Sequence, residues 1–240
     1  MSRLLRELSS SVAALGQCAG LGVLCLVATA CPADVTQDFT ETSVVADPIE
    51  LVNIIVDSGT IVAVTYDRAT MMLKRHTFGF PSDLPLPPDA TIEDGVYRFE
   101  AHCMGSDFCT WDHMLELPLG VGFDILMNES RINLGKTDGD IVADYDVGDF
   151  KGTRLESANV TITSGRSDAL LEFAAPPENV TIDIREGDVT LTVPVGSYRC
   201  VFRSDTGEVE TADITCDDAA TAVLDVRVGR GDISVSGTTP

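Results

Sequence analysis

The stretch Val180-Thr181-Ile182-Asp183-Ile184-Arg185-Glu186-Gly187-Asp188-Val189-Thr190-Leu191-Thr192-Val193-Pro194-Val195 decides how the rest of the chain is read. Ahead of Gly187, the apolar Val180, Ile182 and Ile184 alternate with Thr181, Asp183 and Arg185. Behind it, Val189, Leu191, Val193 and Val195 alternate with Thr190 and Thr192. Alternation with period two about a glycine turn is the pattern of strands with one buried and one wet face.

The block returns along the chain. Asn159-Val160-Thr161-Ile162 reappears twenty residues on as Asn179-Val180-Thr181-Ile182, and Gly187-Asp188-Val189 as Gly207-Glu208-Val209. Gly139-Asp140-Ile141 lies upstream, and Gly231-Asp232-Ile233 closes the series. Ile132 and Leu134 before Gly139, and Leu224, Val226 and Val228 before Gly231, are read as equivalents of Val180 and Ile182. A turn at fixed phase with this spacing predicts an all-β solenoid, each coil covering the apolar face of the next. The Gly-Asp pairs (Gly139-Asp140, Gly187-Asp188, Gly231-Asp232) and Gly207 are assigned as structural turns, because Gly accepts positive φ and Asp tolerates a tight corner.

Met1 to Ala30 reads as a signal peptide, with Arg3 and Arg6 before an apolar run. The sequence Leu26-Val27-Ala28-Thr29-Ala30-Cys31 resembles a bacterial lipobox, which implies lipidation at Cys31 and an anchor in a membrane. Residues 31–47 are polar and acidic and predict a tether. Residues 48–240 then form the solenoid, irregular over 48–114 and regular over 115–240. Within the irregular part, Ile49–Val56 and Thr60–Tyr66 predict two strands around Asp57-Ser58-Gly59. The run from Pro81 to Asp89 carries four prolines and predicts a surface loop.

Of seven cysteines, Cys18 and Cys25 leave with the signal and Cys31 is assigned to lipid. The even remainder, Cys103, Cys109, Cys200 and Cys216, reads as two disulfides of an exported protein. Nearest-neighbour pairing is the simplest of three connectivities. A zinc site from His102, Cys103, Cys109 and His113 is the competing arrangement, at looser spacing than zinc sites usually show. No metal and no cofactor is assigned. The acidic run Asp138, Asp140, Asp144, Asp146 and Asp149 matches neither the EF-hand nor the β-roll calcium pattern.

A formal charge of −22 from 38 acidic and 16 basic residues argues against nucleic-acid binding. No Gly-x-Ser-x-Gly elbow, phosphate loop or His-Glu-x-x-His helix is present, so no catalytic residue is assigned. Lys74-Arg75-His76 is the only locally basic patch, and Arg230-Gly231-Asp232 is already accounted for by the repeat.

Gly187-Asp188-Val189-Thr190-Leu191-Thr192-Val193-Pro194-Val195-Gly196, Gly207-Glu208-Val209 and Gly229-Arg230-Gly231-Asp232-Ile233-Ser234-Val235 resemble the bacterial putative-adhesin family of exported β-solenoids. The likeness runs from about Leu115 to Ser236 and is faint over Ile49–Phe99. It implies a right-handed β-helix-like fold and carries no catalytic residues. The expected function is that of a lipid-anchored cell-envelope module for structural or adhesive display, in the outer membrane, touching an envelope protein or surface glycan. The alternatives are an accessory protein that binds a partner through the Lys74–His76 patch and the Cys103–Cys109 loop, or a polysaccharide-acting enzyme.

Overall fold

The computed structural model describes residues 37–79, 90–102 and 109–239, and all of their regular structure is strand. Sixteen strands follow in chain order: β1 (Gln37–Val45), β2 (Leu51–Tyr66), β3 (Met71–Gly79), β4 (Thr91–Glu93), β5 (Val96–Ala101), β6 (Cys109–Pro118), β7 (Gly122–Gly135) and β8 (Ile141–Leu155). They continue as β9 (Asn159–Phe173), β10 (Asn179–Glu186), β11 (Val189–Pro194), β12 (Ser197–Thr206), β13 (Val209–Ala212), β14 (Thr215–Cys216), β15 (Val223–Arg230) and β16 (Ile233–Thr238). Among the described residues no helix is long and apolar enough to cross a membrane, which says nothing of membrane β-barrels.

Two ladders of parallel strands carry the fold. The first runs β5–β2–β7–β8–β9–β10–β15–β12, and the second runs β6–β2–β7–β8–β9–β11–β16–β13. Strands β2, β7, β8 and β9 span both ladders, whereas elsewhere two strands share the work. Equivalent residues of the repeat stand side by side: Asn159 beside Asn179, Ile162 beside Ile182, and Ile182 beside Val226. The alternation read from the sequence is the alternation of burial as far as Val193, whereas Val195, expected on the same inward face, lies beyond the end of β11 and is exposed. Val180, Ile182, Ile184, Val189, Leu191 and Val193 are all buried, and Thr181, Asp183 and Thr190 are exposed. Each such apolar side chain contributes about 1.5–3 kcal/mol when taken fully from water.

Four features of the sequence reading need correction. The segment expected as a tether over 31–47 contains a strand, because β1 pairs antiparallel with β3 from Gln37 to Val45. The two strands expected around Asp57-Ser58-Gly59 are one strand, β2, which pairs with β5 as far as Val56 and with β6 from Ile61. The repeats do not stack in chain order: β15 lies between β10 and β12, and β16 between β11 and β13. At the opposite end β2 likewise lies between β5–β6 and β7. Finally, Ile132 and Leu134 follow a corner rather than precede one, and pair with residues of the second ladder: Ile61 and Ala63 on β2, and Phe150 and Gly152 on β8. The first-ladder equivalents of Val180 and Ile182 on β7 are Phe123 and Ile125. Near-identical repeats offer each strand several equally good neighbours, so alternation fixes the inward face without fixing the order.

Candidate functional site

Every repeat turns from the first ladder into the second at one corner, and the corner residues form two columns. The inner column is Gly59, Ser130, Gly148, Ser167, Gly187, Gly231 and Gly207. The outer one is Asp112, Thr60, Arg131, Asp149, Asp168, Asp188, Asp232 and Glu208. Gly187 has φ of 134°, and a Cβ on it would stand 1.9 Å from the Ser167 carbonyl oxygen. Gly231 repeats this against Gly187, and Gly207 against Gly231. The outer column is hydrogen-bonded near both of its ends. The Asp168 carboxylate accepts the Asp188 N–H at 2.9 Å, Asp188 accepts that of Asp232 at 2.8 Å, and Asp232 accepts that of Glu208 at 2.8 Å. At the other end Asp112 accepts the Thr60 N–H at 2.8 Å.

Gly139-Asp140 belongs to a different corner. Asp140 opens β8 beside Asn159, whose side-chain amide it accepts at 2.9 Å, and Asn159 in turn accepts the Asn179 amide at 2.9 Å. The true counterpart of Gly187-Asp188 on β8 is Gly148-Asp149. Sequence reasoning missed it although the dipeptide is the same, because Asp149 stood out first as one of an acidic run. Arg230-Gly231-Asp232 lies within this corner as well. Arg230 pairs with Glu186 at 3.2 Å, and the Asp232 carboxylate is taken by Glu208.

A concavity lies where the second ladder is extended by β3 and β1. Lys74 and His76 on β3, Asp112 and Met114 on β6, and Thr60 and Val62 on β2 line a pocket of about 460 Å³. His76 Nδ1 stands 3.7 Å from Asp112 Oδ2. A second hollow of about 410 Å³ shares Thr60 and Asp112 and continues past Arg131 to Asp149. Of the residues lining the pocket Met114 is 53% exposed, and Val44 and Tyr66, elsewhere on β1 and β2, are exposed at 58% and 42%. Arg68 lies over the Tyr66 ring at 4.7 Å and pairs with Glu116 at 2.6 Å.

Strand alternation sends Arg75, between Lys74 and His76, to the opposite face. It is buried, with its guanidinium 4.6 Å from the Phe99 ring centroid. Phe99 packs edge-on against His113 at 4.7 Å and beside Trp111 at 5.7 Å. Burial first, and the Arg75 charge second, push the His113 imidazole down to about 3, so it is neutral at physiological pH.

The remaining sequence-assigned residues are spread out. Cys200 and Cys216 form a disulfide with Cα atoms 5.4 Å apart. Cys109 is disulfide-bonded at the start of β6, while Cys103 and Cys31 lie outside the described residues. His102 is exposed and faces Asp57 at 3.1 Å and Glu100 at 3.6 Å; the hydrogen bond to Asp57 raises its pKa. His113 is in the core, so the two histidines of the zinc alternative do not converge. Among the described residues no three His, Cys, Asp or Glu side chains gather as a metal group.

No family model matches the chain, and no curated protein sequence matches it. Its structure is similar to that of a "putative cell adhesion protein" from Clostridium sporogenes, at 13% identity and a TM-score of 0.41. That match covers 84% of this chain and 100% of the other. It is also similar to a "putative adhesin" from Bacteroides fragilis, at 8% identity, TM-score 0.31 and coverage of 86% and 98%. Another "putative adhesin", from Parabacteroides distasonis, aligns at 8% identity, TM-score 0.30 and coverage of 85% and 98%.

Proposed function

We propose that this chain is a lipid-anchored β-solenoid of the cell envelope that works as a non-catalytic display module for adhesion or surface structure. The observation that carries this reading is the register of the parallel ladders. Residues one repeat apart lie side by side across β8, β9, β10 and β15, so short wet side chains are laid out in rows on a stiff support. A protein built this way works by geometry, offering extended faces of Thr, Asp, Glu and Arg. The Cys200–Cys216 disulfide fits an oxidising compartment outside the cytosol.

Anchorage at Cys31 would leave only residues 32–36 before β1 begins at Gln37. Five extended residues reach at most about 18 Å, so the body would sit close over the bilayer rather than at the end of a long stalk. Metabolic labelling with a clickable fatty acid tests the anchor, and adhesion of the cells that make the protein, with and without its gene, tests display. The label is expected to vanish in Cys31→Ser, and adhesion to fall with the loss of protein from the surface. Persistent label in Cys31→Ser would remove the anchor, and unchanged adhesion in the deletion strain would remove the display role.

The hollow at Lys74, His76, Asp112 and Met114 favours a second reading, an envelope accessory protein that captures a partner there. One ammonium, one imidazole, one carboxylate and an apolar floor in a single concavity suit a peptide better than a flat crystal or polymer surface. Lys74→Glu combined with Met114→Asp would abolish crosslinking to such a partner and leave adhesion by the repeat faces intact.

A further inference from the structure

The outward face of the second ladder changes character along its length. Where β1, β3, β6 and β2 form it, the face is apolar and close to neutral. Val44, Met114 and Tyr66 are exposed there, and Met72, Val62 and Val64 are half-buried. They stand in cross-strand rows: Val44 beside Met72, and Lys74 beside Met114, which is beside Val62. The two acids among them, Asp112 and Glu116, already face cations, His76 at 3.7 Å and Arg68 at 2.6 Å. Lys74 is exposed and takes part in no ion pair among the described residues. From β9 onwards the same face is acidic. Asp168, Asp188, Asp232 and Glu208 follow one another at the corner, and Glu172 and Glu210 stand exposed farther along β9 and β13.

We propose that the outward face of β1, β3, β6 and β2 is a membrane-docking surface that rests on the phospholipid bilayer, with Lys74 on lipid phosphate and Met114, Met72 and Val44 at the headgroup boundary. This rests on the Cys31 anchor proposed above. The occupant follows from where the described chain begins. Strand β1 is the outermost strand of this sheet. With the anchor at Cys31, Gln37 lies within about 18 Å of the bilayer. Lys74 pairs with Thr42, five residues along β1 and so about 17 Å from Gln37. The tether therefore delivers this face, and not the far repeats, to the lipid. Charge selects the same end. A phosphate-bearing surface repels a chain of charge −22 as a whole, so contact is open only where carboxylates are absent or already paired. Asp168 on β9 is five strands from Lys74, about 24 Å at the strand spacing and about three Debye lengths in physiological salt. Resting on the β1–β2 end thus lets the acidic repeats tilt away from the headgroups. Side chains suit the boundary too: methionine is long and adaptable, and Tyr66 offers an amphipathic ring of the kind that settles at headgroup level.

Lysine footprinting on vesicles tests this. The full chain with its anchor is reconstituted into vesicles of phosphatidylethanolamine and phosphatidylglycerol, recovered by flotation and acylated with a membrane-impermeant succinimidyl ester. Mass spectrometry then gives the rate at Lys74 in the wild type and in Val44→Gln combined with Met114→Gln. Both positions are already exposed and both replacements are uncharged, so the variant keeps the fold, as circular dichroism checks, and leaves the local charge at Lys74 unchanged. Lys74 should react at least about fivefold more slowly in the wild type than in the variant. A chain that floats with Lys74 equally reactive in both overturns the docking proposal alone. A chain that leaves the vesicles on flotation removes the anchor, and the docking proposal with it. Crosslinking of Lys74 to another protein on intact cells, with no protection on vesicles, also overturns the proposal and assigns the face to a protein partner.

Discussion

Replacing Gly187 by Ala tests whether the corner holds the repeats together. The new Cβ would stand 1.9 Å from the Ser167 carbonyl oxygen, where ordinary contact needs well over 3 Å, so the two repeats must part by more than 1 Å. That movement breaks the hydrogen bonds threading the corner. The Asp188 N–H donates to Asp168 at 2.9 Å and the Ala169 N–H to the Asp188 carbonyl at 2.9 Å. Losing both costs roughly 1–3 kcal/mol, and an L-residue held at φ of 134° adds about 1–3 kcal/mol. The expected loss is about 4 kcal/mol, read as a shift of the urea midpoint at unchanged slope. Gly120→Ala is the matched control, since its φ is 81° but nothing lies within 4 Å of the added methyl. It should cost only the backbone strain, about 1 kcal/mol. A Gly187→Ala protein as stable as Gly120→Ala would show that the repeats slide freely, and the account of the corner would fail.

The outer column gives a paired expectation. Asp188→Ala, in the middle, strips the acceptor from the Asp232 N–H and should cost about 1.5–3 kcal/mol, whereas Glu208→Ala, at the end of the column, should change the stability read from urea unfolding by less than about 0.5 kcal/mol. For His113, the folded pKa is depressed from 6.5 to about 3, so below the unfolded value the unfolded chain binds a proton that the native one refuses. Stability from this group is complete above about pH 6.5 and is lost as pH falls towards 3, on the order of 5 kcal/mol in all. His113→Phe should therefore flatten the acid limb of stability relative to wild type over that window, and parallel limbs would refute the assignment.

How much of this was legible depends on the range of the interaction. Local alternation announced the buried columns correctly: Val180, Ile182 and Ile184 face inward because a pleated strand puts every second side chain on one side. The turn chemistry was legible at Gly187, Gly231 and Gly207 for the same local reason. The order of repeats was not, because β12 and β15 carry equally suitable faces and only tertiary fit sets β15 against β10. Strand β1 was hidden by its composition. Thr40, Thr42, Asp38 and Glu41 look like a solvated tether, yet the segment forms a ladder by backbone pairing to β3. The Lys74–His76 patch was visible as charge, but its hollow was not. That depends on Met114 and Val62 arriving from two other strands, and Arg75 drops out of the patch only because alternation turns it inward over Phe99.

The acidic column raises the question of how so many carboxylates can be stacked at the strand spacing of about 4.8 Å. Two unit charges about 5 Å apart in water repel by only about 0.8 kcal/mol, and physiological salt screens them further over a Debye length of about 8 Å. A hydrogen bond from a backbone N–H to a charged acceptor contributes about 1.5–3 kcal/mol, so each stacked carboxylate that accepts one gains more than its neighbour takes away. Asp168, Asp188 and Asp232 all do so. The same balance explains why the column contains Thr60 and Arg131 near the hollow. There Asp112 already accepts the Thr60 N–H and faces His76, and a cation or hydroxyl beside it relieves the repulsion where the surface is concave and field lines are focused. The acidity of the chain is thus compatible with its fold because backbone donors at the corner are spent on the carboxylates one at a time.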